Sequence, residues 1–239
     1  MPVADTPSSE TEPLFDELRA LQAKVDAFAQ AVQQRWSDDM ECRAGCAGCC
    51  HTQLSASVVE AALIKAFIAA LPQDAQAQLK QQAVAVDAAN TDDRRRCAML
   101  TEQDRCAIYP VRPLICRTQG LPLQYPAELI PAESIYRRSS ESTAVTWCPL
   151  NFTKAEPSSP DTLNAERVDQ LLGVVNLRYA HARAVDPAPR TALSVLAQQL
   201  SDRTDAAEQQ LRQGIQIYSD MSVRLRAARA QMLSQSGTP

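Results

Sequence analysis

The chain has 239 residues, with 24 basic and 28 acidic side chains, a net charge of −4, 45% apolar residues, 15 Pro, 8 Cys and only 6 Gly. That length is enough for one or two domains with a real core, so disulfide staples are not needed to compensate for small size. A mildly acidic balance offers no general attraction to nucleic acid or anionic membrane, and the apolar content excludes a collagenous or highly charged disordered chain. All eight cysteines lie between Cys42 and Cys148, and the last 91 residues have none.

Residues 1–13 are polar and contain Pro2, Pro7 and Pro13, the composition of a disordered terminus. They show neither the basic n-region nor the apolar h-region of a secretory signal, and no stretch approaches 18 uncharged apolar residues. A soluble cytoplasmic protein is therefore expected, with no membrane or nucleic-acid partner. From Leu14, the spacing of Phe15, Leu18, Leu21, Val25, Phe28, Val32 and Trp36 predicts a helix that delivers the chain to Cys42. Ser57-Val-Val-Glu60 has the form of a capping box, opening a second helix that carries Val58, Val59, Ala62, Leu63, Ala66, Phe67 and Ala70 and stops at Pro72. The Ala- and Gln-rich run 73–90, with Leu79, Val84 and Val86, predicts a third.

Between Thr91 and Pro160 the character changes, with eight of the fifteen prolines in this stretch. Each proline fixes φ and removes a backbone donor, so a long helix or a central strand is not expected there, apart from a short helix near Ala132 to Ser142. Helix returns after Asp161: one with Leu163, Val168, Leu171, Leu172, Val175 and Tyr179, another with Leu193, Val195, Leu196 and Leu200, and a last with Leu211, Ile215, Tyr218, Met221, Leu225, Ala228 and Met232. No internal repeat and no sustained period-two alternation occur. The fold class is mainly α, with helices packed around an irregular Pro- and Cys-rich segment. The expected organisation is a disordered 1–13, a cysteine-cluster domain over 14–160 and a helical region over 161–239 packed on it.

The first cysteine group reads Cys42-Arg-Ala-Gly-Cys46-Ala-Gly-Cys49-Cys50. Gly45 and Gly48 each precede a cysteine, where positive φ would turn sulfurs toward a common point. In a reducing compartment, clustered thiols more often bind metal than form disulfides. Short spacing serves that chemistry, because sulfurs must sit about 2.3 Å from a zinc ion or bind the irons of a compact cluster. Neighbouring Cys49 and Cys50 point in different directions, which suits two sites or different atoms of a polynuclear centre.

The second group comprises Cys97, Cys106, Cys116 and Cys148. Six arginines between Arg94 and Arg117 face only Glu102 and Asp104, a local balance of +4. Anionic thiolates would be offset by such an environment, with Arg112 and Arg117 as hydrogen-bond donors around the centre; the competing view of Arg94, Arg95 and Arg96 is an ordinary solvated loop. The 91–160 segment is poor in periodic apolar residues and hardly offsets its own ordering entropy. Structural zinc supplies roughly 10–16 kcal/mol of apparent folding free energy, enough to order such a loop on a helical scaffold.

These residues resemble a known family. C-x3-C-x2-C-C, a Glu-bearing helix, C-x-x-L and C-x-I-Y-x-x-R-P-x-x-C-R look like the YkgJ-like cysteine-cluster family, described as a zinc- or iron-chelating domain. Here the elements are Cys42 to Cys50 with Glu60, Cys97 to Leu100, and Cys106 to Arg117; the resemblance spans about residues 40–150. It implies metal binding by the cysteines, and no substrate. The common first group of that family is C-x2-C-x2-C-C, so this chain has one extra residue between Cys42 and Cys46.

C-x3-C-x2-C is also the spacing of radical SAM enzymes, but the alternating strands and helices of their barrel are missing. Cys46-Ala-Gly-Cys49 lacks the βαβ context of a thiol oxidoreductase. His51 is a candidate extra ligand, His181 a surface residue, Glu60 primarily a cap, and Tyr109 and Trp147 candidate shields against water. No hydrolytic constellation stands out. The leading expectation is a protein whose Cys42, Cys46, Cys49, Cys50, Cys97, Cys106, Cys116 and Cys148 hold zinc, iron or an iron-sulfur cluster in a structural or metal-handling role. The rival is an iron-sulfur oxidoreductase or radical enzyme binding an anionic substrate through Arg112 and Arg117. A third is an interaction module contacting a protein partner through its C-terminal helices.

Overall fold

The structure is a computed structural model that describes residues 12–88, 96–130, 136–138 and 140–199. The expected disorder of the first residues, Arg94 and Arg95, and the last expected helix from Leu211 to Met232 lie outside the described residues. Helix α1 spans Glu12–Arg35, β1 Ser55–Ala56, α2 Val58–Ala69, α3 Gln73–Ala88 and α4 Leu114–Thr118. Strands β2 (Leu123–Pro126), β3 (Tyr136–Arg138), β4 (Thr143–Thr146) and β5 (Leu163–Asn164) follow, then α5 (Ala165–Arg183), β6 (Thr191–Ala192) and a short helix α6 over 193–199. The architecture is mainly α.

The apolar period of α1 does what its spacing predicts: Phe15, Leu18, Leu21, Val25 and Val32 are buried along one face. Helix α2 departs from a one-faced pattern. Val59 and Leu63 join α1 and the α5 residues Val168 and Leu172, while Ala61, Ile64 and Ile68 join Leu79 and Ala83 of α3 and Leu193, Leu196 and Ala197 of α6. It is thus buried on two sides, between two cores, which is why it carries apolar residues around most of its circumference. Each fully buried Leu or Ile there contributes roughly 1.5–3 kcal/mol relative to exposure.

Two expectations are corrected in the Pro-rich stretch. Strand β3 occupies part of the segment expected to be a helix near Ala132 to Ser142. Together with β4, β2 and β5 it forms a four-stranded sheet, in that order. Within it β2 is a central strand, antiparallel to β4 and parallel to β5. The prolines are accommodated because the strands are short: Pro122 precedes β2 and Pro126 is its last residue. A second, two-stranded pairing joins Ser55–Ala56 to Thr191–Ala192 and ties α6 back to the start of α2.

Candidate metal centre

Three connections bring the eight cysteines into one region. The first is at the end of α1. The Asp39 carboxylate accepts from the N–H and hydroxyl of Thr153 and from the N–H of Lys154, while Phe152 N–H donates to Asp39 O at 2.8 Å. Asn151, only 1% exposed, then accepts from Glu41 N–H at 2.8 Å and donates Nδ2–H to Gly120 O at 2.9 Å and to Cys42 Sγ at 3.2 Å. Its own N–H donates to Cys148 O. Residues 39–42 and 148–155 are therefore laced together over a cluster of Val32, Met40, Leu121 and Phe152, with Trp36 and Trp147 set edge-on to the Phe152 ring.

The second connection is a backbone hydrogen bond of 2.7 Å from Cys97 N–H to Cys50 O. The third is a tight reversal over residues 97–107: Thr101 N–H donates to Arg105 O, Ala107 N–H to Met99 O, Leu100 bridges Cys106, and Asp104 takes a left-handed φ of 55°. Ala98, Met99 and Ile108 are sunk in the α2/α3/α6 core, and Cys97, Cys106 and Cys116 pack against it. Cys116 arrives on α4.

Helix α4 is held from two sides. Glu60, 1% exposed, accepts from Ser57 N–H at 2.9 Å, its half of the capping box, and also from Ser57 Oγ–H at 2.8 Å. Its other oxygen accepts from Leu114 N–H at 2.8 Å, so one buried carboxylate joins the first turns of α2 and α4. On the opposite side Arg117, 6% exposed, pairs with Asp26 of α1 and donates to Arg112 O at 2.9 Å and Pro110 O at 2.6 Å. Every nitrogen of Arg117 is engaged in this clamp. Arg112 lies over the Tyr109 ring at 3.8 Å and 3.6 Å from Asp26, and its positive charge acts on Cys106.

The electrostatics divide the sulfurs into two sets. Burial pushes the Cys42 thiol up, the Asn151 hydrogen bond opposes this, and Cys148, Cys46 and Cys49 add to it. Cys116 is pushed up to about 12 by burial, reinforced by Cys97, Cys106, Cys49 and Glu60. Burial likewise raises Cys97, with Cys106 and Cys49 adding and Arg96 opposing, and raises Cys106 against the pull of Arg112. Cys50 faces Cys97, Cys106 and Cys116 and is nonetheless lowered, because Cys49 S–H donates to it; that same bond raises Cys49. Cys42 is thus acted on by Cys148, Cys46 and Cys49, and Cys50 by Cys97, Cys106 and Cys116, while Cys49 also acts on Cys97 and Cys116. None of the eight is in a disulfide.

Most of these thiols resist ionisation because thiolates would be buried beside one another, and metal binding removes that penalty while releasing protons. Among the described residues no three Cys, His, Asp or Glu side chains converge on a single point.

The remaining candidates separate clearly. Gly45 has φ +94°, as its place before Cys46 suggests, but Gly48 does not have positive φ and opens a short 3₁₀ turn instead. The glycine that matters sterically is Gly120, with φ +86° and a position where a Cβ would fall 2.4 Å from Cys42 Sγ. His51 is exposed and its Nδ1 lies 3.1 Å from Ala47 O; His181 is exposed on α5. Tyr109 is 60% exposed, whereas Trp147 packs, as Cys42 does, against the Val32, Met40, Leu121 and Phe152 cluster. Asn151, Gly120, Asp39 and Asp26 had no signal in the cysteine motifs; a Pro-Leu-Asn turn after Cys148 was the nearest hint for Asn151.

No helix among the described residues is long and apolar enough to cross a membrane. Neither the curated proteins nor the solved structures contain a match to this chain. The segment from Glu41 to Cys148, which holds all eight cysteines and ends on the last of them, matches the family model CxxCxxCC, "Putative zinc- or iron-chelating domain".

Proposed function

We propose that this protein binds zinc or iron through its eight cysteine sulfurs, as two adjoining thiolate groups. Cys42, Cys46 and Cys148 form the core of one, Cys50, Cys97, Cys106 and Cys116 form the other, and Cys49 stands at their junction. The observation that supports it best is the pattern of electrostatic influence: Cys148, Cys46 and Cys49 act on Cys42, and Cys97, Cys106 and Cys116 act on Cys50. Sulfur-only donors suit zinc and iron-sulfur centres alike, and Arg96 and Arg112 act on Cys97 and Cys106 with the sign that offsets thiolate charge. The bound metal acts structurally or in metal handling. It locks residues 42–50, 97–116 and 148 into one body on the helices.

Anaerobic purification with metal analysis and an absorption spectrum tests this. Zinc bound at about two ions per chain without colour would assign two tetrahedral thiolate sites. Iron with acid-labile sulfide and visible charge-transfer absorption would assign a cluster. A protein that takes up neither metal, aerobically or anaerobically, would overturn the reading.

A further inference from the structure

A cavity of about 550 Å³ lies between α5, α4, β2 and the paired strands β1 and β6. Its floor is apolar, with Leu114, Val168 and Leu172 buried. Two buried polar groups on that floor are internally satisfied. Glu60 accepts from Ser57 and Leu114, and Asn176 accepts from Val59 N–H at 3.0 Å while donating to Pro187 O at 2.9 Å. Neither needs a ligand.

The rim is different. Arg190 donates from Nε to Ser55 Oγ at 3.0 Å and from Nη2 to Ser55 O at 2.8 Å, which fixes it to β1. Asp169, on the α5 face that lines the cavity, has no hydrogen bond or ion pair among the described residues. Burial pushes its carboxyl up, Arg190 opposing and Glu60 adding. The Tyr125 phenol, also lining the cavity, is held up by burial and by the Asp169 charge. Asp169 thus stands exposed at the mouth, attracted by Arg190 and repelled by Glu60, and its carboxylate is not tied to either among the described residues.

We propose that this cavity binds a small organic ammonium ion, its nitrogen against the Asp169 carboxylate and the Tyr125 ring and hydroxyl, its apolar body on Leu114, Val168 and Leu172. The volume falls within the roughly 300–1,000 Å³ of small-molecule sites and is far larger than a bare metal ion needs. The chemistry argues the same way, since a metal ion would find only one unengaged carboxylate, whereas an ammonium needs one anion and an aromatic face. An anionic ligand is disfavoured because Asp169 lines the cavity and Arg190 is already engaged by Ser55. The site does not depend on the cysteine centre, to which Asp169 and Tyr125 do not belong.

The test is an NMR titration of the full-length protein with n-butylammonium chloride, n-butanol and sodium butyrate, at constant ionic strength. The expected result is saturable shifts of amides lining the cavity, such as Gly173, with n-butylammonium, and at least about tenfold weaker response to the neutral and anionic analogues. Asp169→Asn should weaken n-butylammonium binding at least about tenfold and Tyr125→Phe less, while Asp74→Asn on α3, with the same change in net charge, leaves it unchanged. Equal binding of butanol, an Asp169→Asn variant indistinguishable from Asp74→Asn, or no saturable shift in the folded wild-type protein would each overturn the proposal. Metal content, measured on the same samples, stays constant whichever way the titration turns out, so it separately reports on the thiolate reading.

Discussion

Asn151 Nδ2 donates to the sulfur of Cys42 at 3.2 Å across 109 residues of sequence, and the same amide holds Glu41 N–H and Gly120 O. One buried side chain thus sets the position of a candidate ligand and closes two backbone groups that would otherwise be unpaired. Asn151→Ala is expected to destabilise the fold by about 1–3 kcal/mol for each buried group left unsatisfied. Urea unfolding should show a lower midpoint at unchanged slope, and metal content should fall. Asn151→Asp keeps the acceptor but loses the donor to sulfur and adds negative charge beside Cys42, so it should bind metal less well than Asn151→Ser at equal stability.

The three glycines around the first cysteine group should respond in a graded order. Gly120→Ala combines a left-handed φ with a Cβ 2.4 Å from Cys42 Sγ and is expected to be the most damaging, with loss of metal as well as stability. Gly45→Ala has φ +94° but open space, so it should carry only the backbone cost of about 1–2 kcal/mol. Gly48→Ala has neither constraint and should be neutral or slightly stabilising. Thermal unfolding of the three variants checks the order, and a Gly48→Ala as harmful as Gly120→Ala would refute it.

Glu60 offers a prediction in which charge and structure pull apart. Glu60→Gln keeps the shape, but its amide nitrogen cannot accept, so at least one of the backbone N–H groups of Ser57 and Leu114 loses its acceptor, at a cost of about 1–3 kcal/mol. The Cys116 thiol, pushed up to about 12 by burial and then by Cys97, Cys106, Cys49 and Glu60, should become easier to ionise once the carboxylate charge is gone. Alkylation of Cys116 in metal-free protein should therefore begin at lower pH in Glu60→Gln than in wild type, even though the variant is less stable.

How much of this was legible in the sequence follows from how local each interaction is. The α1 face and the Ser57/Glu60 box are set by spacings of three and four residues, and both fold as their patterns dictate. Glu60's further bond to Leu114 spans 54 positions and leaves no local trace. The short sheet was hidden because its strands run two to four residues and the neighbouring prolines weigh against strand. Arg117 was read as part of a positive environment for sulfur, yet Asp26 on α1, invisible as its partner from sequence, takes it up. Gly45 and Gly48 stand beside cysteines in sequence, whereas Gly120 lies 78 positions from Cys42 and its role exists only in the folded contact.

Asp161 predicts the acid limb of stability. Its carboxyl is 3% exposed; burial works to raise it, and hydrogen bonds from Ser158, Arg35 and Trp36 overcome this and hold it below the ordinary carboxylate value of 3.8. A group depressed in the folded state contributes stability above its unfolded value and loses it as pH falls through the folded one. The contribution should therefore be complete above about pH 5 and decline below about pH 4. Asp161→Asn should lower stability near neutral pH and flatten that decline, and urea midpoints between pH 3 and 7 read it directly. An unchanged pH profile in the variant would show that the Arg35 bridge at 2.7 Å contributes nothing.

Paired cysteine substitutions address the two-group arrangement. In the proposed arrangement Cys148 groups with Cys42, to which Asn151 ties it, and Cys106 groups with Cys97 and Cys116, so Cys148→Ser and Cys106→Ser should each remove about half of the bound metal. The double variant should remove nearly all of it. Cys49→Ser should perturb both halves, because its sulfur acts on Cys42 as well as on Cys97 and Cys116. Metal analysis on the folded fraction, with circular dichroism to confirm folding, distinguishes the alternatives. If either single variant lost all metal, the sulfurs would constitute one polynuclear centre; if both kept full metal, neither cysteine would be a ligand.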